Sequence, residues 1–379
     1  MNTLKFGNGE WYGKKDTVLA YNDLNSNFKP LPFNFDRSSS ATRVNKQGLI
    51  ETVGSGEPRI DYKDDSKGAL LLEPSRSNRF YYSEDFSNSI WVKQNVNLTS
   101  NYELSPSGFL NADRVITTNT GVDLYQNISV SANTTYTLTF YAKLRDGENI
   151  QARFYDLSNS SNISYVNYSS QLSNNEWKRV EIEVTTPLGC TSLRIWIVAL
   201  TSTLIDVSYW GAQLEQGSYP TSYIPTQGGA VTRVAESCEQ TVPSDVIGQT
   251  EGVFFLDVGE YKSIGSISSA IIYLYNALGD RLGFAVSNTK LIRVRVNAVN
   301  EQIADTQVEN SKTAIRYTST GVDVFYNGVK QTLTIIGNEV FSLPTSVYLY
   351  SPNQSFDIKG LQLYNTALTD QELINLTTI

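Results

Sequence analysis

Residues 135–144 read TYTLTFYAKL, and this stretch decides the fold. Every second residue from Tyr136 to Leu144 is apolar, while threonine or lysine holds most of the positions between. Successive side chains of a strand point to opposite faces of its sheet, so the alternation predicts a strand with one buried face. The same pattern recurs in residues 179–184, 193–198, 291–296 and 322–326. With polar turns between them, these strands predict an all-β protein built of β-sandwiches.

Two local signals mark where elements begin and turn. Asn327-Gly328 follows an alternating run and precedes Val329, which predicts a tight hairpin. Residues 369–372 read TDQE, a capping box, and apolar residues follow it. We therefore expect one short helix, at the C-terminal end of the sequence.

The composition excludes several kinds of chemistry. The chain has 379 residues and no histidine, so a Ser-His or Cys-His nucleophile and an imidazole zinc site are excluded. With 38 acidic against 30 basic residues its net charge is −8, which disfavours nucleic acid as a partner. The 40% hydrophobic content is enough for packed cores, and no apolar run is long enough to predict insertion into a membrane.

The N-terminus and the cysteines indicate the compartment. Residues 1–13 are polar and lack the apolar segment of a signal peptide, so we expect synthesis and assembly in a cytoplasm. Two cysteines, Cys190 and Cys238, do not make a disulfide scaffold. They are expected to be free or buried thiols, and whether they pair is left open.

Glycine and proline clusters divide the sequence into three parts. They lie at residues 54–75 and 217–230, and the segments between them are rich in strands. We expect an extended N-terminal arm over residues 1–75, a jelly roll over 76–226 and a second sandwich over 227–379.

The N-terminal arm is too aromatic to be a solvated tail. Its prolines at residues 30 and 32 favour extended backbone. We expect it to pack on its own body, on a sister chain or on another protein. The candidate anchoring residues are Trp11, Tyr12, Phe28, Phe33 and Phe35.

Four stretches within residues 17–78 resemble proteins of bacteriophage particles. A string found in virion proteins of tailed phages is similar to residues 17–37, 39–51, 58–62 and 70–78 of this chain. The first of these stretches reads TVLAYNDLNSNFKPLPFNFDR and the last reads LLLEPSRSN. The resemblance implies a structural virion protein, a head fibre or tail-associated fibre, anchored by its arm to capsid or tail proteins. It also implies a location in the virion, assembly in the bacterial cytoplasm and a homo-oligomer, with a trimer as the leading expectation.

The two sandwiches carry resemblances of their own. Residues 82–86, 177–179 and 210–225 resemble a carbohydrate-binding-module-like jelly roll. Residues 326–328 and 360–372 resemble the end of a concanavalin A-like (laminin-G-like) sandwich. Both folds host lectins as well as purely structural parts, and the resemblance implies adhesion to host-surface or environmental glycans.

A sugar site needs flat aromatic rings together with polar groups for hydroxyls. Trp196 and Arg194 lie opposite an apolar strand face, and Tyr155 and Arg153 are placed similarly on a neighbouring run. Tyr165 lies in the polar stretch 156–170, which we interpret as a recognition loop. We expect these five residues to bind glycan; the alternative is that they form a second packed layer or a subunit contact.

Catalysis and metal binding have weaker candidates. Glu181 and Glu183 point to one strand face, at a spacing compatible with a polysaccharide-degrading enzyme (depolymerase). Their charged neighbours indicate a solvated face instead, so we expect no enzyme and no cofactor. Asp61, Asp64 and Asp65 are hard oxygen donors that could hold a structural calcium ion, without a ligand spacing that assigns them.

Overall fold

The computed structural model describes residues 3–24, 27–201, 203–242, 246–263, 269–286, 291–303, 306–350 and 354–379. The predicted all-β class and the short C-terminal helix are confirmed. Contacts divide the chain into two compact units. Met1–Gly48, Thr52–Ser75 and Val234–Ile379 form the composite unit, while Leu49–Glu51 and Arg76–Arg233 form the central sandwich.

The strands are numbered in chain order. Before the central sandwich run β1 (Thr3–Gly7), β2 (Gly13–Lys14), β3 (Thr17–Leu24), β4 (Asn27–Asp36), β5 (Ala41–Val44), β6 (Ile50–Val53), β7 (Ile60–Asp61) and β8 (Ala69–Leu72). The next twelve are β9 (Arg76–Asn78), β10 (Val92–Gln94), β11 (Val96–Leu104), β12 (Leu110–Thr117), β13 (Gly121–Ser129), β14 (Thr135–Asp146), β15 (Gln151–Asp156), β16 (Ser161–Asn167), β17 (Trp177–Thr185), β18 (Ser192–Leu200), β19 (Asp206–Gln216) and β20 (Val231–Arg233). The last are β21 (Ser237–Thr241), β22 (Gly252–Ser263), β23 (Ser269–Asn276), β24 (Arg281–Val286), β25 (Ile292–Val296), β26 (Val299–Gln302), β27 (Ser311–Thr318), β28 (Gly321–Tyr326), β29 (Val329–Lys330), β30 (Pro344–Tyr350) and β31 (Gln354–Tyr364), followed by helix α1 (Asp370–Thr377).

The central sandwich consists of two five-stranded sheets. One has the order β10-β13-β18-β15-β16 and the other β11-β12-β19-β14-β17. Their alternating apolar residues meet in one core, which contains Leu124 and Ile195 from the first sheet and Leu138 and Ile182 from the second. The alternation that predicted these strands therefore identifies their buried face correctly. The unit extends to Arg233 because β20 pairs with β9.

The N-terminal segment packs on its own chain, which was one of the three alternatives, and this corrects our expectation that residues 1–75 form a separate part. Strands β3 and β4 pair antiparallel, so the extended backbone is present, but β1 pairs with β31 and β4 with β21. Leu4, Phe6, Phe33 and Phe35 thereby enter the same core as residues from the C-terminal strands. Their alternating apolar positions bury one face of each strand, and that burial holds the segment to the composite unit.

A buried ionic network fixes the same segment from within. Glu236 accepts hydrogen bonds from Arg37 Nη1 at 2.8 Å and from Arg59 Nε at 2.8 Å. Arg59 Nη1 also donates to Glu73 at 2.7 Å. All four side chains are at most 3% exposed, so their charges are stabilised by one another rather than by bulk water. Arg37 and Arg59 lie more than 170 positions before Glu236 in the sequence, so these charge-assisted hydrogen bonds tie the N-terminal segment to the C-terminal part of the unit.

The two local signals are confirmed. Asn327 and Gly328 have φ values of 46° and 80°, which a tight hairpin turn requires, and Tyr326 pairs with Val329. The capping box at α1 is complete, with Thr369 and Glu372 each bonded to the other's backbone.

Both cysteines are buried and free, so the open question of their pairing is answered. Cys190 lies in the core of the central sandwich and Cys238 in that of the composite unit. Burial raises the pKa of Cys190 to about 11, so its thiol stays protonated at neutral pH. Among the residues that the structure describes, no helix combines the length and apolar character needed to cross a membrane.

Candidate functional site

The outer face of the sheet β10-β13-β18-β15-β16 gathers aromatic and basic side chains. Register places them in two rows that run across the strands, because residues paired on neighbouring antiparallel strands point to the same face. One row is Tyr125, Trp196, Arg153 and Tyr165. The second row is Asn127, Arg194, Tyr155 and Asn162. We call these eight residues the arginine–tyrosine face.

Arg153 stacks on three aromatic rings of this face. Its guanidinium carbon lies 4.6 Å from the ring centroid of Trp196, 5.0 Å from that of Tyr165 and 5.2 Å from that of Tyr155. Each contact is within the range where a cation is attracted to the ring face. Together these contacts hold the Arg153 guanidinium beside the three rings.

Arg194, in the neighbouring row of the face, makes the same kind of contact with Trp196. Its guanidinium carbon lies 4.4 Å from the centroid of Tyr125 and 5.5 Å from that of Trp196. The rings of Tyr125 and Trp196 are themselves 5.0 Å apart. The two arginines therefore share the indole ring as a common support.

Hydrogen bonds fix the orientation of these groups. Arg153 Nε donates to Asn162 Oδ1 at 3.0 Å, and Arg194 Nε donates to Asn127 Oδ1 at 2.9 Å. The indole Nε1 of Trp196 donates to Asp123 Oδ1 at 2.5 Å. Among the described residues, the Nη groups of both arginines donate to no protein atom and form no ion pair. Their outer edges remain available to a ligand.

Exposure decides which groups a ligand would meet. Trp196 is only 4% exposed because the two guanidinium groups cover it, whereas Tyr165 is 43% exposed. Arg153, Arg194 and Tyr155 are half-buried. The face therefore offers tyrosine rings and guanidinium edges, with the tryptophan as an internal support rather than a stacking surface.

The structure brings together all five glycan-binding candidates: Arg153, Tyr155, Tyr165, Arg194 and Trp196. Sequence reasoning missed Tyr125 and Asn127, although both occupy the polar positions of the alternating run 121–129. The stretch interpreted as a recognition loop contains strand β16, which pairs with β15. Its half-buried Ile163 and Val166 explain the difference, since they pack against the core.

The candidate anchoring residues have separate environments. Phe33 and Phe35 lie in the core, and Trp11 is half-buried, with its Nε1 donating to Gly68 O at 2.8 Å. Residues buried in their own unit cannot offer a surface to another protein, which corrects the anchoring role for Phe33 and Phe35. Tyr12 is 56% exposed, and the Phe28 side chain lies outside the described side chains.

The carboxylate pair considered for catalysis is exposed. Glu181 and Glu183 lie on one face of β17, as expected, and both side chains are open to solvent. A glycosidase needs one carboxyl group whose pKa is raised by burial. This pair lacks the burial that such a general acid requires.

A second acidic cluster lies in the composite unit. Carboxylate oxygens of Asp64, Glu260 and Asp357 lie within 4.8 Å of one another, beside a cavity of about 310 Å³. Burial and neighbouring carboxylates raise the pKa of Asp357 well above its usual value. Asp61 belongs to the cavity wall but accepts two backbone hydrogen bonds, and Asp65 accepts one. Calcium binding here stays a prediction, with Asp64 the one member of the predicted trio in the cluster.

The comparison with protein families matches part of the central sandwich. Residues 79–203 match a family model described as a carbohydrate-binding domain. The matched range includes β10 to β18 and all eight residues of the arginine–tyrosine face. No curated protein matches the chain.

Solved structures give distant likenesses. A carbohydrate-binding module (CBM40) of the Ruminococcus gnavus IT-sialidase, bound to α2,3-sialyllactose, is 16% identical, with 36% of this chain and 86% of that chain covered and a TM-score of 0.30. Trypanosoma rangeli sialidase in complex with 2,3-difluorosialic acid is 9% identical, with 95% of this chain and 81% of that chain covered and a TM-score of 0.32. The N-terminal CBM22 tandem domain of Paenibacillus barcinonensis Xyn10C is 11% identical, with 79% of this chain and 98% of that chain covered and a TM-score of 0.28. TM-scores this low support no inference, so the family match at residues 79–203 is what links this chain to carbohydrate-binding domains.

Proposed function

We propose that this protein binds carbohydrate through the arginine–tyrosine face. The observation that carries the proposal is that this face lies wholly within the residues that match a carbohydrate-binding domain. The composition and the exposed Glu181–Glu183 pair favour binding without catalysis.

The groups of the face suit a sugar ring. Tyrosine rings can cover the apolar C–H faces of a pyranose, and Tyr165 and Tyr155 flank Arg153 in the position to do so. Guanidinium and amide groups supply donors and acceptors for hydroxyls. Because the arginines are held by rings and by Asn127 and Asn162, little side-chain entropy is lost on binding.

A glycan array probed with the full chain tests the proposal. Tyr165→Ala should reduce the signal by about tenfold, because it removes an exposed ring that is 43% open to solvent. Tyr350→Ala is a matched control, since Tyr350 is 38% exposed and lies in the composite unit. An array on which the wild-type chain gives no signal, as monomer or oligomer, would rule the function out.

We also propose that the protein is a structural appendage of a tailed-phage particle, such as a head fibre or tail-associated fibre, and that it adheres to host-surface glycans. The support is the resemblance of residues 17–78 to virion proteins. The appendage would be a homo-oligomer, with a trimer as the leading expectation, attached to capsid or tail proteins through surfaces other than Phe33 and Phe35. Mass spectrometry of purified particles and labelling in electron micrographs test this; absence of the protein from particles would reject it.

A further inference from the structure

The arginine–tyrosine face holds more positive charge than a neutral sugar requires. Two guanidinium groups lie side by side in a chain whose net charge is −8. The carboxylate beside them, Asp123, already accepts the indole hydrogen of Trp196. Among the described residues, neither Arg153 nor Arg194 forms an ion pair with a carboxylate.

Each arginine is held by two kinds of contact that leave the same edge free. The centroid of an aromatic ring lies within 4.6 Å of each guanidinium carbon, and the asparagine hydrogen bond occupies Nε. The Nη groups of Arg153 and Arg194 have no acceptor among the described residues. A guanidinium with its outer edge free presents parallel N–H donors whose spacing matches the two oxygens of a carboxylate.

The two arginines lie close enough to serve one sugar residue. Their guanidinium carbons are 4.6 and 5.5 Å from the same Trp196 centroid, so they are at most about 10 Å apart. A monosaccharide placed between them can direct its carboxylate to one guanidinium and its hydroxyls to the other. Tyr155 and Tyr165 then flank its ring.

We propose that this face selects sugars that carry a carboxylate, such as sialic or uronic acids, over neutral sugars. The inference rests on the proposed function and adds the chemical class of ligand. Arg153 and Arg194 bind the carboxylate. Asn127 and Asn162 orient the arginines and do not select the ligand.

Matched pairs of sugars test the preference on the wild-type full chain. Titration calorimetry compares sialyllactose with lactose, and trigalacturonic acid with its methyl ester. Charge-assisted hydrogen bonds contribute about 1.5–3 kcal/mol, so at least one acidic sugar should bind tenfold or more tightly than its neutral partner. The pair that shows the difference identifies the source of the carboxylate. The preference should also decrease as salt is raised to about 0.5 M.

Three variants assign the preference to the face. Arg153→Gln and Arg194→Gln should each reduce the ratio of acidic-sugar to neutral-sugar affinity by about tenfold, because the loss of a guanidinium weakens carboxylate binding more than hydroxyl binding. Arg281→Gln is the matched control, because Arg281 stacks on Tyr273 and Tyr275 at 5.4 and 5.2 Å in the composite unit. It should leave the preference unchanged.

The outcomes separate the two proposals. Equal affinity for both members of each pair would overturn acid selection and leave carbohydrate binding in place. No binding of these four sugars, with a blank glycan array, would overturn both. The comparison of a sugar with its ester uses the wild-type chain, so it decides the question even where an arginine variant folds poorly.

Discussion

Trp196 is the residue on which the arginine–tyrosine face depends, although a ligand would hardly touch it. Its indole supports both guanidinium groups and is 4% exposed. Trp196→Ala should lower the free energy of unfolding by about 3 kcal/mol, the cost of removing a buried aromatic side chain. Urea unfolding measures this. Trp177→Ala, which removes a half-buried indole from the opposite sheet, should cost less and leave sugar binding intact.

Asp113 should make the stability of the central sandwich depend on pH. Burial raises its pKa to about 6, although the backbone N–H groups of Phe86 and Asn101 each donate to the carboxylate at 2.9 Å. The folded state therefore binds the proton more tightly than the unfolded chain does. This contribution to stability is complete below about pH 4 and is lost as pH rises through about 6.

The variant Asp113→Asn isolates this contribution because its side chain does not titrate. The stability of the wild type minus that of Asp113→Asn should fall between about pH 4 and 7. Urea unfolding at several pH values measures both. Parallel stability curves for the two proteins would contradict the assignment.

At the scale of elements, β1, β3 and β4 are part of the composite unit rather than an appendage to it. Deleting residues 1–36 removes Leu4, Phe6, Phe33 and Phe35 from the core and exposes the edge of β31. We expect the composite unit to lose cooperative unfolding, while the central sandwich keeps its own transition. Calorimetry measures the two transitions; an unchanged composite transition would restore the interpretation of a separate arm.

The same elements define how far sequence reasoning reaches. Period-two alternation identifies β14, β17, β18 and β25 and their buried faces, because burial of one face is a local property of a strand. The pairing of β1 with β31 joins residues about 350 positions apart, and no local pattern encodes it. The N-terminal aromatic residues were therefore recognised as packed, but their partner was not.

In the candidate site, too, the face of a single strand could be predicted from sequence, whereas the pairing between strands could not. Trp196 and Arg194 could be assigned to an outward face from their own strand. The rows of the face depend on register across β13, β18, β15 and β16, which places Tyr125 beside Trp196. Register between strands that are distant in sequence is set by packing of the whole sheet, so the shared support of the two arginines could not be predicted.

At the scale of the whole molecule, Glu236 connects segments that the sequence keeps apart. It is fully buried and bonded to Arg37 and Arg59. Glu236→Ala would remove the buried carboxylate that Arg37 and Arg59 share, leaving Glu73 as the remaining acid beside Arg59. We expect a loss of about 3–5 kcal/mol in unfolding free energy. Glu239→Ala, at an exposed position on β21, is the control and should change stability by less than about 0.5 kcal/mol. A similar small effect for both variants would contradict a structural role for the network.

The pairing of Arg76 with Arg233 has a consequence for synthesis of the chain. The central sandwich is an insertion whose two ends lie together, with all its strands made once residue 233 has left the ribosome. The composite unit must wait for β31, because β1 pairs with it. The inserted domain can therefore finish folding while the host domain is still incomplete, and another domain with adjacent ends could take its place.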